Sequence, residues 1–211
     1  MVSVLPVRYF AENKEFQVLS RAMNTTDRKS NIIEAAMDVL YDKGFCALKI
    51  RDVALRADVS AGLICHHYDT KHGLLLEVVR HAVTAYSEQS ALVAAQDLSP
   101  NDKVLALVRM ALAPEQSNKR LSRVWLTLYY MAGSDDEFHA ELLRYQQINL
   151  EMITSAISSL FPSEAVPNKA RLIVALIDGV WLQHATQAGT VDLGVAQDLV
   201  ANLTKHALLG P

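Results

Sequence analysis

The chain lacks the material for a disulfide framework. Cys46 and Cys65 are its only cysteines, and no spacing pairs them, which suits a reducing compartment such as the cytoplasm. It also lacks a membrane span, since its most apolar stretch, around Leu172 to Leu182, is broken by Asp178 and flanked by Arg171. Such a span needs roughly 18 apolar residues. Basic residues are not in excess: 20 Lys and Arg face 23 Asp and Glu, a net charge of -3, so contact with a polyanion must rest on a local patch. Glycine and proline, 8 and 6 residues, serve as punctuation. No strand-like alternation, Asn-Gly hairpin signal or internal repeat occurs, and the expected fold class is all-α. Also absent are a serine-nucleophile elbow, a phosphate-binding glycine loop, a His-Glu-x-x-His pair and paired catalytic carboxylates. Neither an enzyme nor a cofactor is expected. Residues 1–22 interleave Arg8, Lys14 and Arg21 with Glu12 and Glu15 and lack the apolar core of a secretory signal. They read as a loosely ordered extension, with a translation start at Met23 as the alternative.

What is present is helical periodicity, most informative between Ala47 and Leu75. Ile50, Val53, Ala54 and Ala57 fall at i, i+3, i+4 and i+7, one buried stripe on a helix of about two turns. Asp58-Val59 breaks the pattern. Ser60 then stands where its hydroxyl caps a second helix, Ala61 to Tyr68, whose first turn holds only small side chains. Such a start brings backbone N–H groups and a partial positive charge close to a phosphate or a base edge, as in a recognition helix entering a major groove. On that reading Ser60, Ala61, Gly62, Cys65 and His66 face the groove, while Lys49, His67, Tyr68 and Lys71 meet phosphates. Gly62 also suits relief of crowding between helices. A metal site at Cys65-His66-His67 is not expected, because consecutive helical side chains point about 100 degrees apart and no i+4 ligand completes the set.

This stretch resembles the TetR-type one-component transcriptional regulators. The resemblance runs through an amphipathic first helix from Asp27 to Gly44, Val53-Ala54, the run from Ala57 to Ile64, His67-Tyr68 and Lys71-His72-Gly73-Leu74-Leu75. Two positions depart from the family pattern. Asp58 stands where the inter-helix turn usually has Gly, and Asp tolerates positive φ less well than Gly but better than most residues. Lys49 replaces the usual Thr cap and reaches a phosphate as a looser point charge. Further along, Ala175 to Leu182, followed by Ala185 and Gly189, is similar to the choline-responsive repressors of glycine-betaine synthesis. The resemblance implies a three-helix helix-turn-helix domain over residues 23–72 and a helical ligand-sensing and dimerisation domain over residues 73–211. It also implies a homodimer joined through its two terminal helices, a double-stranded DNA operator with two-fold symmetry, and a small-molecule effector that releases it.

Six helices are expected after the reading head. The fourth ends before Asp97, and Ser99-Pro100 opens a fifth to about Ala113. By the same signals the sixth runs from about Asn118 to Ala132, the seventh from Asp135 to Leu160, the eighth from Pro167 to Ala188 and the ninth from Leu193 to Leu208. The last two are too apolar for a single buried face and call for a second partner surface. Trp125 and Tyr129 share one helix face, Tyr145 lies on the seventh helix, and Trp181 follows Asp178 by three residues on the eighth. A carboxylate inside an apolar run must be paired, hydrogen-bonded or protonated. Two readings follow for Trp125, Tyr129, Tyr145, Asp178 and Trp181. They form a pocket for an organic cation, with choline first by resemblance, or an ordinary core in which Asp178-Gly179 permits close helix packing. The alternative to a regulator is a helical interaction module that has lost operator binding.

Overall fold

The computed structural model describes residues 14–186 and 192–205 and contains only helices among them. In chain order these are α1 (Lys14–Ala47), α2 (Ile50–Ala57), α3 (Ala61–Tyr68), α4 (Lys71–Ala94), α5 (Pro100–Ala111), α6 (Lys119–Ala132), α7 (Asp136–Ile157), α8 (Val166–Thr186) and α9 (Leu193–Leu203). The backbone is already helical from Lys14, earlier than the expected start at Asp27. The rest of the proposed extension, residues 1–13, lies outside the described residues, as do Gly189 and the expected helix ends at Ala188 and Leu208.

The reading head is a local solution to apolar periodicity. Ile32, Ala36, Val39 and Leu40 of α1 close over Val53 and Ala54 of α2 and Ile64 of α3, all buried. Each of the Val, Leu and Ile side chains among them contributes about 1.5–3 kcal/mol on leaving water. Gly44 has φ 74 and ψ 167 and kinks α1 near its end, a conformation open to glycine at little steric cost. Asp58 ends α2 in the left-handed region, φ 53 and ψ 48, as the departure from Gly at this turn leads one to expect. Asp58→Gly is therefore expected to raise the melting temperature by up to about 3 °C, the counterpart of roughly 1 kcal/mol in a chain of this size. A clear fall in a thermal melt would show instead that the carboxylate holds the turn.

Caps explain where the later helices begin. Ser60 Oγ accepts from Leu63 N at 3.1 Å and Thr70 Oγ1 from Gly73 N at 3.1 Å. Ser99, Asn118, Asp135 and Asp192 cap α5, α6, α7 and α9 in the same way. A methyl group at Gly73 would sit 2.3 Å from the Tyr68 carbonyl oxygen, so only glycine lets α3 pass directly into α4. Helix α4 is the axis of the molecule: Leu74, Leu75, Val78, Val79, Ala82, Val83 and Tyr86 are all buried. Helix α6 packs both on α1 of the reading head and on α7 of the larger domain.

The outer faces of α8 and α9 are left bare within the subunit. Ile173, Ile177 and Trp181 bury one stripe of α8. On the other side Leu172, Ala175, Gly179 and Leu182 recur at i, i+3, i+7 and i+10 and are exposed, Leu172 at 54 % and Leu182 at 47 %. A methyl group at Gly179 would meet nothing within 4 Å, so close packing of a helix of the same subunit is not what this glycine serves. On α9, Val195 and Leu199 are 68 % and 55 % exposed.

Candidate DNA-reading face and ligand cavity

Lys49, Ser60, Ala61, Gly62, Cys65 and His66 are all exposed on the head, and His67 is half-buried. Lys49 stands at the N-cap of α2 without a side-chain cap bond, since its ammonium has no lone pair to accept from the first N–H groups. At Gly62 an added methyl would meet only Ser60 Oγ at 3.8 Å, an ordinary contact. Among the described residues nothing crowds this position, so relief of packing between helices is not what this glycine serves. Desolvation, with the nearby basic groups of Lys29 and His66, holds the His67 imidazole below the usual histidine value.

Two expected phosphate contacts look different in the structure. The Tyr68 hydroxyl is buried and has no hydrogen-bond partner among the described residues, with its ring against the core, so it is turned inward rather than toward a phosphate. Lys71 Nζ donates to the carbonyls of Phe45 at 2.7 Å and Cys46 at 3.2 Å and lies 5.2 Å from the centre of the Phe45 ring. Its charge closes the carbonyl end of α1, and one ammonium donor remains for an outside anion. Arg51, which was not among the expected contacts, has its side chain 78 % exposed on the first turn of α2, with Nε 3.9 Å from Asp52 Oδ1. Its place on the outer side of the apolar stripe was the available signal.

In the larger domain the expected aromatic residues do converge. Trp125 and Tyr145 have ring centres 4.7 Å apart, and Tyr129 stacks on Trp181 at 6.1 Å with an interplanar angle of 28°. Tyr86 of α4 joins them, 5.2 Å from Tyr145 and edge-on to Trp125 at 6.0 Å. Its hydroxyl donates to Asn149 Oδ1 at 2.6 Å, which satisfies the one polar atom of a buried ring. Tyr86 and Asn149 were not anticipated, although a lone tyrosine on the buried stripe of the fourth helix was a usable clue. With Gln116 and Ile177, the rings of Tyr86, Trp125, Tyr129, Tyr145 and Trp181 line a cavity of about 10 Å³, roughly the room of one water. A larger guest therefore has to move the walls.

Asp178 stands behind this wall rather than in it. It accepts a long hydrogen bond from the Tyr145 hydroxyl at 3.5 Å. Desolvation pushes its carboxyl up to about 6, against a smaller opposing effect of that hydrogen bond. Burial raises the phenol values of Tyr86, Tyr129 and Tyr145 as well, and the Asp178 charge adds to each. The cavity is thus lined by aromatic side chains and backed by a carboxylate whose charge burial disfavours.

Comparison with known proteins follows the same division. The model of the bacterial regulatory proteins of the tetR family matches residues 32–78, and that of the BetI-type transcriptional repressor C-terminal domain matches residues 100–209. The chain is 28 % identical over 186 residues to the HTH-type transcriptional regulator BetI 1 of Chromohalobacter salexigens, covering 86 % of this chain and 90 % of that one. To BetI of Agrobacterium fabrum it is 25 % identical over 173 residues, 82 % of this chain and 84 % of the other. Its fold is that of a TetR transcription regulator from Haloarcula marismortui, with a TM-score of 0.77, 21 % identity and coverage of 87 % and 99 %. A transcriptional regulator from Saccharomonospora viridis, solved in complex with choline, superposes with a TM-score of 0.75 at 19 % identity, covering 88 % of this chain and 100 % of that one. These relatives and families are regulators of transcription, not enzymes.

Proposed function

The chain belongs to the TetR family of bacterial regulatory proteins, with the C-terminal domain of a BetI-type transcriptional repressor, and from that membership we propose that it is a homodimeric repressor released from its operator by an organic cation. Residues 23–72 serve as the DNA-reading domain and residues 73–211 as the sensing and dimerisation domain. The single observation that supports the effector class is the closure of Trp125, Tyr129, Tyr145 and Trp181 around one cavity with Asp178 behind it. Choline is the first candidate, because quaternary ammonium groups favour aromatic faces and the Saccharomonospora viridis regulator holds choline on the same fold. The bare apolar stripes of α8 and α9 support the homodimer, and a two-fold protein reads a two-fold operator.

On the DNA side, Lys49 and Arg51 meet phosphates, while Ser60, Ala61, Gly62, Cys65 and His66 face the groove with His67 at its edge. The test is binding to DNA from beside the protein's own coding region across a salt series. Lys49→Ala is expected to weaken binding to all DNA by a similar factor and to lower the salt slope by about one unit, with no change in folding. Lys71→Ala is expected to lower the melting temperature as well, since it uncaps the Phe45 and Cys46 carbonyls. An unchanged slope for Lys49→Ala removes that residue from the phosphate contacts, and loss of operator preference with no salt dependence would refute the repressor reading.

A further inference from the structure

The helix that carries Trp125 and Tyr129 is also the helix that grips the reading head. Arg120 lies in the first turn of α6, where the helix dipole disfavours a cation, and it is clasped to α1 instead. Its Nε donates to Asp38 Oδ1 at 2.6 Å, and its Nη2 donates to the Glu34 carbonyl at 2.7 Å and to Glu34 Oε2 at 2.7 Å. The clasp continues into the helix-turn-helix. Asp38 Oδ2 is 3.7 Å from Arg56 Nη1, and Arg56 Nη2 donates to Asp42 Oδ2 at 2.6 Å. Arg56 is on α2, two residues before the Asp58 bend that sets α3. Trp125 is five residues beyond Arg120, about 7.5 Å along the helix axis, and lies in the cavity wall.

From this arrangement we infer that Arg120 is the strut through which the aromatic cavity sets the pose of the reading head. The inference rests on the cation reading of the cavity for its ligand and on the geometry alone for its path. The cavity holds only about 10 Å³, so a guest the size of choline must displace Trp125 or its neighbours, and α6 is the element on which Trp125 sits. A guanidinium fork fixes both direction and distance, unlike a looser point charge. A shift of α6 then either drags α1 and α2 with it or breaks the fork, which gives two discrete arrangements rather than a graded one. A purely structural ion pair at this exposure would affect stability slightly and coupling not at all.

The test uses the whole chain, with choline as the probe and DNA from beside its coding region. Arg120→Gln removes the fork, and the double variant Asp38→Ala with Glu34→Ala removes both of its side-chain acceptors, in neither case emptying the core. Both variants are expected to bind choline within about twofold of the parent, while the weakening of operator binding by choline, typically 5- to 150-fold for allosteric coupling, falls below about twofold. Unchanged coupling in both variants overturns the strut. A second arm needs no ligand. Trp125→Phe is expected to shift operator affinity by about threefold or more with Arg120 in place, and not to shift it when combined with Arg120→Gln. An equal shift in both backgrounds, or none in either, overturns the inference. If choline does not bind the parent at all, the cation reading fails and this second arm decides the strut by itself.

Discussion

Asp178→Asn is expected to weaken choline binding roughly tenfold at about pH 7.5 while raising the melting temperature, because the charge that attracts the cation is the charge that burial penalises. The carboxyl is held at about 6 in the folded chain against an ordinary 3.8. Between those values the folded chain binds more protons than the unfolded one, so this group's contribution falls as pH rises. It is most favourable below pH 3.8, and the loss is complete above about pH 6. The difference amounts to roughly 3 kcal/mol at most. The stability gain of Asp178→Asn over the parent should therefore be near zero at about pH 4 and grow to its full size by about pH 7. Cation binding should run the other way in the parent, strengthening through the same window as the carboxylate ionises, and Asp178→Asn should remove that slope. Thermal melts and calorimetry across pH check both. A stability gain independent of pH, or choline affinity unmoved by the substitution, would place the carboxylate outside the effector site.

The combination Leu182→Asp with Leu199→Asp is expected to yield a folded monomer with at least about a thousandfold weaker operator binding. Both side chains are exposed in the single chain, so the fold should not notice their loss. In a dimer each substitution would leave an unpaired carboxylate in an apolar interface, at a cost of several kcal/mol. The DNA effect follows from tethering: the second head of a dimer binds at a local concentration in the millimolar range, and a monomer forfeits that gain. Sedimentation and operator titration measure the two halves. A dimer that persists moves the interface elsewhere, while a monomer with full operator affinity refutes the two-headed reading.

The parts of this molecule that were legible in the sequence are those set by neighbours a few residues away. Ser99-Pro100 and Asp135 mark helix starts because a cap acts on the next turn, and the Ile50 to Ala57 stripe identifies α2 because one helix face repeats locally. The left-handed Asp58 was legible for the same reason. Lys71 was not, because its environment depends on the kink at Gly44 that brings the Phe45 and Cys46 carbonyls to the start of α4; nor was Tyr68, whose ring packs on a core assembled from several helices. Arg120 meets Asp38 and Glu34 across 82 and 86 residues of chain, a separation that no periodicity encodes. For Trp125, Tyr129, Tyr145 and Trp181 the sequence left both a pocket and an ordinary core open, because which rings meet depends on how separate helices cross, and the place of Asp178 behind Tyr145 depends likewise on how α7 meets α8.

The central claim, that one chain couples an organic-cation site to a DNA-reading face, is tested most directly by calorimetric titration of choline into the free protein and into the protein saturated with DNA from beside its coding region. Linkage requires the two sites to weaken each other equally. The account predicts that choline binds the free protein below about millimolar and binds the DNA complex about 5- to 150-fold more weakly, with operator affinity reduced by the same factor when choline is present. Equal choline affinity with and without operator, or no binding below millimolar, would contradict it.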